Sequence, residues 1–353
     1  MSDKLFEALK LGAMELNNAV VMAPMTRSRA GAADIPTELM VEYYRQRAGA
    51  GLIITEGAYP SRAGKGYCRM PGIASQEQVQ AWTRVTKAVH AEGGKIAVQI
   101  MHCGRVASAL NKDADAETVA PSAIQAKGKI YTEQGMKPLE APRALETDEI
   151  PGVIEEFRQA TINAYEAGFD AVELHCTSGY LPAQFLSTGS NQRTDQYGGS
   201  VENRVRFVLE VLEAMCGVDG GNRVGIRICP DNPFNDLYDE NPEETFSTLL
   251  TEINRFNLAY LHVIRFPPGR LDNFELSRQY FQGPIIGNES IDLDEAKKMV
   301  DSGELAAVSF GRSFIANPDL VARFRTGGSL AEFNLATLYT PGEEGYTDYP
   351  LMG

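Results

Sequence analysis

At 353 residues, with 43% apolar and 23% charged side chains, the chain has the make-up of a globular protein with ample material for a core. Its 33 basic and 47 acidic residues leave a net charge of −14, which argues against the basic face of a nucleic-acid binder and against adhesion to anionic membranes. No apolar run reaches signal-peptide or membrane-spanning length, and the five widely spaced cysteines hold no CxxC pair, so a cytoplasmic protein without a disulfide framework or metal cluster is expected.

In chain order, short apolar runs of the kind that form strands buried on both faces alternate with helical-period segments. The runs fall at 20–25 (VVMAPM), 51–57 (GLIITEG), 96–102 (IAVQIMH) and 171–176 (AVELHC). Four more follow at 224–230 (VGIRICP), 260–266 (YLHVIRF), 283–288 (GPIIGN) and 306–312 (AAVSFGR). Helices are predicted over 37–47, 76–92, 150–167, 201–214, 242–256, 293–302 and 318–325. Ser75, Asp292 and Asn317 stand as N-caps, the last with Pro318 in the first helical position. Alternating β and α elements imply a parallel sheet, and eight strands are the number that closes it into a TIM (β/α)8 barrel. The alternative, an open doubly wound sheet, lacks the GxGxxG turn that would open a helix after one of its strands. Residues 104–149, after the third strand, form the longest excursion and include a hairpin-like stretch, AKGKIYTEQGMKP. One domain over residues 1–353 is expected.

In such a barrel the reacting groups come from the C-terminal ends of the strands and the loops after them. That rule singles out Pro24, Thr26, Arg27, Glu56, Gln99 and His102 from the first three strands, and Glu173, His175 and Tyr180 from the fourth. From the others it takes Arg227, His262, Arg265, Asn288, Glu289 and Arg312. Each has a plainer reading, because buried polar residues in barrel strands often only satisfy one another. Arg227 is harder to set aside: a guanidinium inside an apolar strand needs an anionic or strongly accepting partner. Gly311–Arg312, before a short helix, fits the phosphate site that these barrels build from loops seven and eight. A phosphate-bearing ligand with an arginine at its electron-rich end matches flavin mononucleotide (FMN).

Seven stretches together resemble the Old Yellow Enzyme family over essentially the full length. They are MAPMTR (22–27), GLIITEG (51–57), VQIMHCGR (98–105), VELHCTSGYLPAQFLSTGSNQRTDQYGGSVENR (172–204), VGIRICP (224–230), SFGRSFIANPDLVARF (309–324) and GYTDYP (345–350). The resemblance implies an FMN-dependent ene-reductase that uses NADPH or NADH to reduce activated C=C bonds, working as a monomer or homo-oligomer on small molecules. It implies that Pro24 and Gly57 line the flavin ring, Thr26 contacts its C4 oxygen and Gln99 donates to its pyrimidine edge. Arg227 would face N1 and the C2 oxygen, and Gly311 and Arg312 would hold the phosphate with backbone groups around Asn288. Tyr180 would be the proton donor and His175 a donor to the activating oxygen of the substrate, with Tyr67 and Tyr339 lining the pocket.

Four positions depart from that pattern. Ser178 stands in the second donor position, where the family has His or Asn; Met101 replaces an aromatic residue beside the substrate; Cys229 replaces a serine near Arg227. Glu289 stands where glycine is usual in the phosphate loop and would repel a phosphate unless it points away. Two other readings compete. A non-flavin lyase or isomerase on the same barrel would need a strand lysine or a metal cluster, and no lysine lies in the eight runs. A redox-sensing FMN protein without turnover would not need Tyr180 and His175.

Overall fold

The computed structural model describes residues 3–352. All eight apolar runs form strands: β1 (Val20–Met22), β2 (Leu52–Ala58), β3 (Ile96–Ile100), β4 (Ala171–Cys176), β5 (Val224–Ile228), β6 (Tyr260–Ile264), β7 (Ile285–Asn288) and β8 (Ala307–Phe310). Each pairs in parallel with the next, and β8 pairs with β1, so the sheet closes on itself. Closure leaves no unpaired edge, and a surrounding layer of helices buries the outer face, which is why the strands carry apolar residues at nearly every position. In β2 the register slips between Ile54 and Gly57. This bulge shifts the strand end that carries Glu56 and Gly57, and the Glu56 carboxylate accepts from the Arg27 amide (3.3 Å) and from Tyr44 of the outer helix layer (3.3 Å).

The helices are α1 (Glu38–Gln46), α2 (Gln76–Ala91), α3 (Ile150–Glu166), α4 (Leu181–Leu186), α5 (Val201–Asp219), α6 (Pro242–Ile253), α7 (Asn273–Tyr280), α8 (Leu293–Ser302), α9 (Arg312–Ala316) and α10 (Leu320–Thr326). Ser75 and Gln78 form a reciprocal capping box on α2, and Asp292 caps α8 by accepting from the Glu295 amide. Trp82 of α2, Phe157 of α3, and Phe185 and Phe207 of α4 and α5 fill the layer between helices and barrel. No helix among the described residues is long and apolar enough to cross a membrane.

Two expectations need correction. The last helix does not start at Pro318 under an Asn317 cap; α10 begins at Leu320, after Asp319. Asn317 is engaged elsewhere, donating to the carbonyls of Ser313 (2.8 Å) and Ala331 (3.1 Å) and accepting from the Ala331 amide, so it ties α9 to the C-terminal segment. The sequence does not signal the helix between β6 and β7, α7, because NFELSRQY is short and mostly polar; Asp272 caps it by accepting from two amides.

Two additions shape the barrel ends. An antiparallel hairpin, Leu9–Leu11 with Met14–Leu16, closes the N-terminal end, where the Ala13 amide donates to the Asn222 carbonyl (2.8 Å). At the other end the excursion after β3 contains the antiparallel pair Lys129–Thr132 and Gly135–Pro138. Ile130 of this hairpin is buried and belongs with Tyr180, Met101 and Cys103 to a second apolar cluster, separate from the main core.

Candidate active site

The polar residues of β4 and β5 sit side by side, with His175 in register with Arg227. The chain then leaves β4 through two consecutive left-handed residues, Ser178 (φ 56°) and Gly179 (φ 83°), and Tyr180 caps α4. A side chain on Gly179 would meet Asn235 Cβ at 2.5 Å, so glycine there lets the β5–α6 loop press against the tyrosine loop. Asn235 reinforces the contact by donating to the Ser178 carbonyl (2.7 Å). The reversal places the Tyr180 ring edge-on to His175, with centroids 4.8 Å apart. The Tyr180 hydroxyl lies 3.0 Å from that of Tyr67. Met101 belongs to the same cluster as Tyr180, with Tyr67 packed on its margin. The missing side chain at Gly57 makes room for Met101, whose Cε would lie 2.6 Å from a Cβ there.

Burial, with Arg227 and His262 adding to it, holds the His175 pKa well below the usual imidazole range. The ring is therefore neutral, with a single N–H to give. Burial raises the Tyr180 phenol well above its usual value, and Tyr67 adds to the effect, so the phenol keeps its proton.

Arg227 is buried in β5 and spends one N–H on Asn288 Oδ1 (2.6 Å). Among the described residues its Nε has no partner, nor has Nδ1 of His175. A buried guanidinium N–H without an acceptor is costly and calls for an accepting group in the mouth. The N1–C2 oxygen edge of FMN is such a group, so the residues present fit the flavin. Gln99 gives one amide N–H to Glu173 Oε1 (2.7 Å), which fixes the orientation of its amide. Pro24 and Thr26 lie half-buried after β1. Gly311 precedes α9, and Arg312 opens it. The Arg312 side chain is 68% exposed and pairs with Glu289, so that carboxylate does approach the expected phosphate position.

Tyr339, expected to line the pocket, lies on the C-terminal segment and is 56% exposed. Three arginines secure that segment, and only Arg27 stood out in the sequence. Arg27 donates to the carbonyls of Leu338 (3.2 Å) and Gly345 (2.8 Å), and Arg29 to those of Leu338 (2.7 Å) and Thr337 (2.8 Å). Arg69 holds the Tyr339 carbonyl itself (2.9 Å). The rings of Tyr43 and Tyr346 stack on each other 4.1 Å apart, and the Arg27 guanidinium lies beside the pair, 5.4 and 5.1 Å from their centroids. The TRSR run of residues 26–29 hints at such a clamp, but nothing in it names a partner about 310 residues away.

Glu289 adopts φ 70°, a left-handed conformation that costs a non-glycine residue roughly 1–2 kcal/mol. Glu289→Gly is therefore expected to relieve the backbone and free Arg312 for a phosphate. FMN should bind the apoprotein about 2- to 5-fold more tightly, the worth of an exposed ion pair no longer competing. Fluorescence titration of apoprotein with FMN checks this; an unchanged or weaker affinity means that Arg312 does not serve the phosphate.

A closed barrel whose C-terminal mouth gathers a neutral histidine, a protonated phenol and an under-satisfied arginine defines a TIM-barrel oxidoreductase built to hold a flavin. Residues 4–330 match the model of the NADH:flavin oxidoreductase / NADH oxidase family. A probable flavin mononucleotide-dependent alkene reductase of Leishmania infantum is 41% identical, over 99% of this chain and 98% of the relative. The structure of morphinone reductase in complex with tetrahydroNAD superposes with a TM-score of 0.95 at 46% identity, covering 99% of this chain and 98% of the other. The Old Yellow Enzyme homologue from Zymomonas mobilis gives 0.95 at 38% identity, covering 99% of each. The chain belongs to the NADH:flavin oxidoreductase family, that of the Old Yellow Enzymes, and is an FMN-dependent enzyme of the ene-reductase type.

Proposed function

We propose that this protein reduces C=C bonds conjugated to a carbonyl group, with nitroalkenes and quinones as further acceptors and NADPH or NADH as reductant. The observation that carries this reading is the packing of neutral His175 against protonated Tyr180, beside a buried Arg227 with an N–H to spare. The relationship to the flavin mononucleotide-dependent alkene reductase and to morphinone reductase, whose structure holds tetrahydroNAD, supports the acceptor class and the nicotinamide. We place the activity in the cytoplasm, in one FMN-binding domain spanning residues 1–353.

When bound, FMN supplies the hydride chemistry, accepting from the nicotinamide and giving to the β-carbon of the alkene. Pro24, Thr26 and Gly57 border the ring, Gln99 and Arg227 meet its polar edge, and Gly311, Arg312 and the backbone at Asn288 take the phosphate. His175 donates to the activating oxygen, and this bond strengthens as negative charge builds there. Ser178, half-buried and with its hydroxyl unpartnered among the described residues, reaches the same oxygen through a water, a less well aimed link than His or Asn provides. Tyr180 gives its proton to the α-carbon, and the Tyr67 hydroxyl stabilises the phenolate left behind. Met101 and Tyr339 wall the substrate.

An absorption spectrum of the purified protein, followed by anaerobic NADPH and then cyclohexenone, tests the reading. A flavin spectrum that NADPH bleaches and cyclohexenone restores is expected. Bleaching without restoration sinks alkene reduction, and a colourless protein that takes up no added FMN sinks the cofactor assignment.

A further inference from the structure

The barrel interior holds a run of hydrogen-bonded residues that starts at Gln99, passes through the hydroxyl and the carbonyl of Ser309, and ends at Arg227. Gln99 Nε2 donates to Glu173 Oε1 (2.7 Å), and the other carboxylate oxygen lies 2.8 Å from His262 Nδ1. His262 Nε2 is 2.7 Å from Ser309 Oγ. Asn288 Nδ2 donates to the Ser309 carbonyl (3.0 Å), and Arg227 Nη2 donates to Asn288 Oδ1 (2.6 Å). Six strands contribute one residue each, and every member is buried.

Oε1 of Glu173 accepts the Gln99 N–H and Oε2 faces His262 Nδ1, while Ser309 Oγ lies between His262 Nε2 and the Gly287 carbonyl, to which it donates (3.3 Å). Burial lowers the His262 pKa, which favours the neutral ring. Glu173 is the one carboxylate within this network and, together with Glu289 outside it, opposes the charge of Arg227. It also decides which end of the Gln99 amide is turned away from the mouth.

We propose that Glu173 is a positioning residue for the cofactor: it orients the Gln99 amide, and its charge offsets Arg227 and so limits how strongly the site favours reduced over oxidised FMN. Arg227 alone would hold negative charge on the ring too tightly for ready release of hydride. The buried Glu173 carboxylate on the neighbouring strand acts on Arg227 in low dielectric and opposes that field. This role rests on the assignment of Gln99 and Arg227 to the flavin.

Two variants separate charge from orientation. Glu173→Gln removes the charge at constant size. It is expected to raise the ratio of affinities for reduced and oxidised FMN about tenfold, which is about 30 mV for a two-electron couple. Glu173→Asp keeps the charge and shortens the reach; its FMN potential should match that of the parent, while both oxidation states bind more weakly as Gln99 loses its anchor. Potentials are read by equilibrating the FMN-loaded proteins with a dye of known potential, and affinities by titrating the apoproteins. An unmoved potential in Glu173→Gln, or a shift in Glu173→Asp, overturns the proposal. The second criterion stands even if Glu173→Gln does not fold. If the parent protein binds no FMN, it is the cofactor assignment that fails.

Discussion

Tyr180→Phe is expected to slow turnover of a conjugated alkene by roughly 10²- to 10⁴-fold, the usual worth of a positioned general acid. Reduction of the bound flavin by NADPH should proceed at the parent rate, because that half of the cycle asks nothing of the phenol. The asymmetry follows from the geometry. Phenylalanine keeps the edge-on contact with His175 at 4.8 Å and removes only the hydroxyl paired with Tyr67. Stability should fall by no more than about 1 kcal/mol for the lost hydrogen bond. Rapid-mixing measurement of the two half-reactions checks both parts. If the alkene step keeps its parent rate, water delivers the proton and Tyr180 is only a wall of the pocket.

His175→Ala should cost about 2.7–4 kcal/mol in barrier for alkene reduction, roughly 10²- to 10³-fold in kcat, as expected for losing one of two donors to a developing oxyanion. The loss should be severe because Ser178, the other candidate donor, has the shorter side chain. A pH profile adds a second check. His175 is a base whose pKa is depressed by burial, by Arg227 and by His262, so the neutral donor form persists above that lowered value and is lost only at pH well below 6.5. The parent enzyme should therefore show no inflection near pH 6.5 in kcat for cyclohexenone. An inflection there that disappears in His175→Ala would show that the imidazole titrates normally and is wet.

The strands were legible because burial on both faces removes polar residues from every position, and that leaves an apolar run with no alternation to misread. The end of β4 was legible for the opposite reason: His175, Ser178 and Tyr180 sit within six residues of one another and were read as a single motif. Short polar helices were not. Asn273–Tyr280 carries too little apolar periodicity to stand out, and Asn317 has the chemistry of an N-cap while serving as a clasp between α9 and the segment at Ala331. Glu289 shows the limit for a single site. The sequence flags a carboxylate in a phosphate loop, and only the folded loop turns it to Arg312.

By itself the sequence determined an eight-stranded barrel, its family and its cofactor, and it singled out a short list of candidate residues, because these depend on local composition and on motifs read within a few residues. The tertiary structure decided what each charge faces. Glu173, His262 and Ser309 come from three strands separated by 47–89 residues, and their hydrogen bonds exist only once the barrel closes. The grip of Arg27, Arg29 and Arg69 on the segment bearing Tyr339 joins residues 270 or more apart. Hydrogen bonds and Coulomb fields act through space over a few ångströms, and separation along the chain carries no record of which distant groups the fold will bring that close.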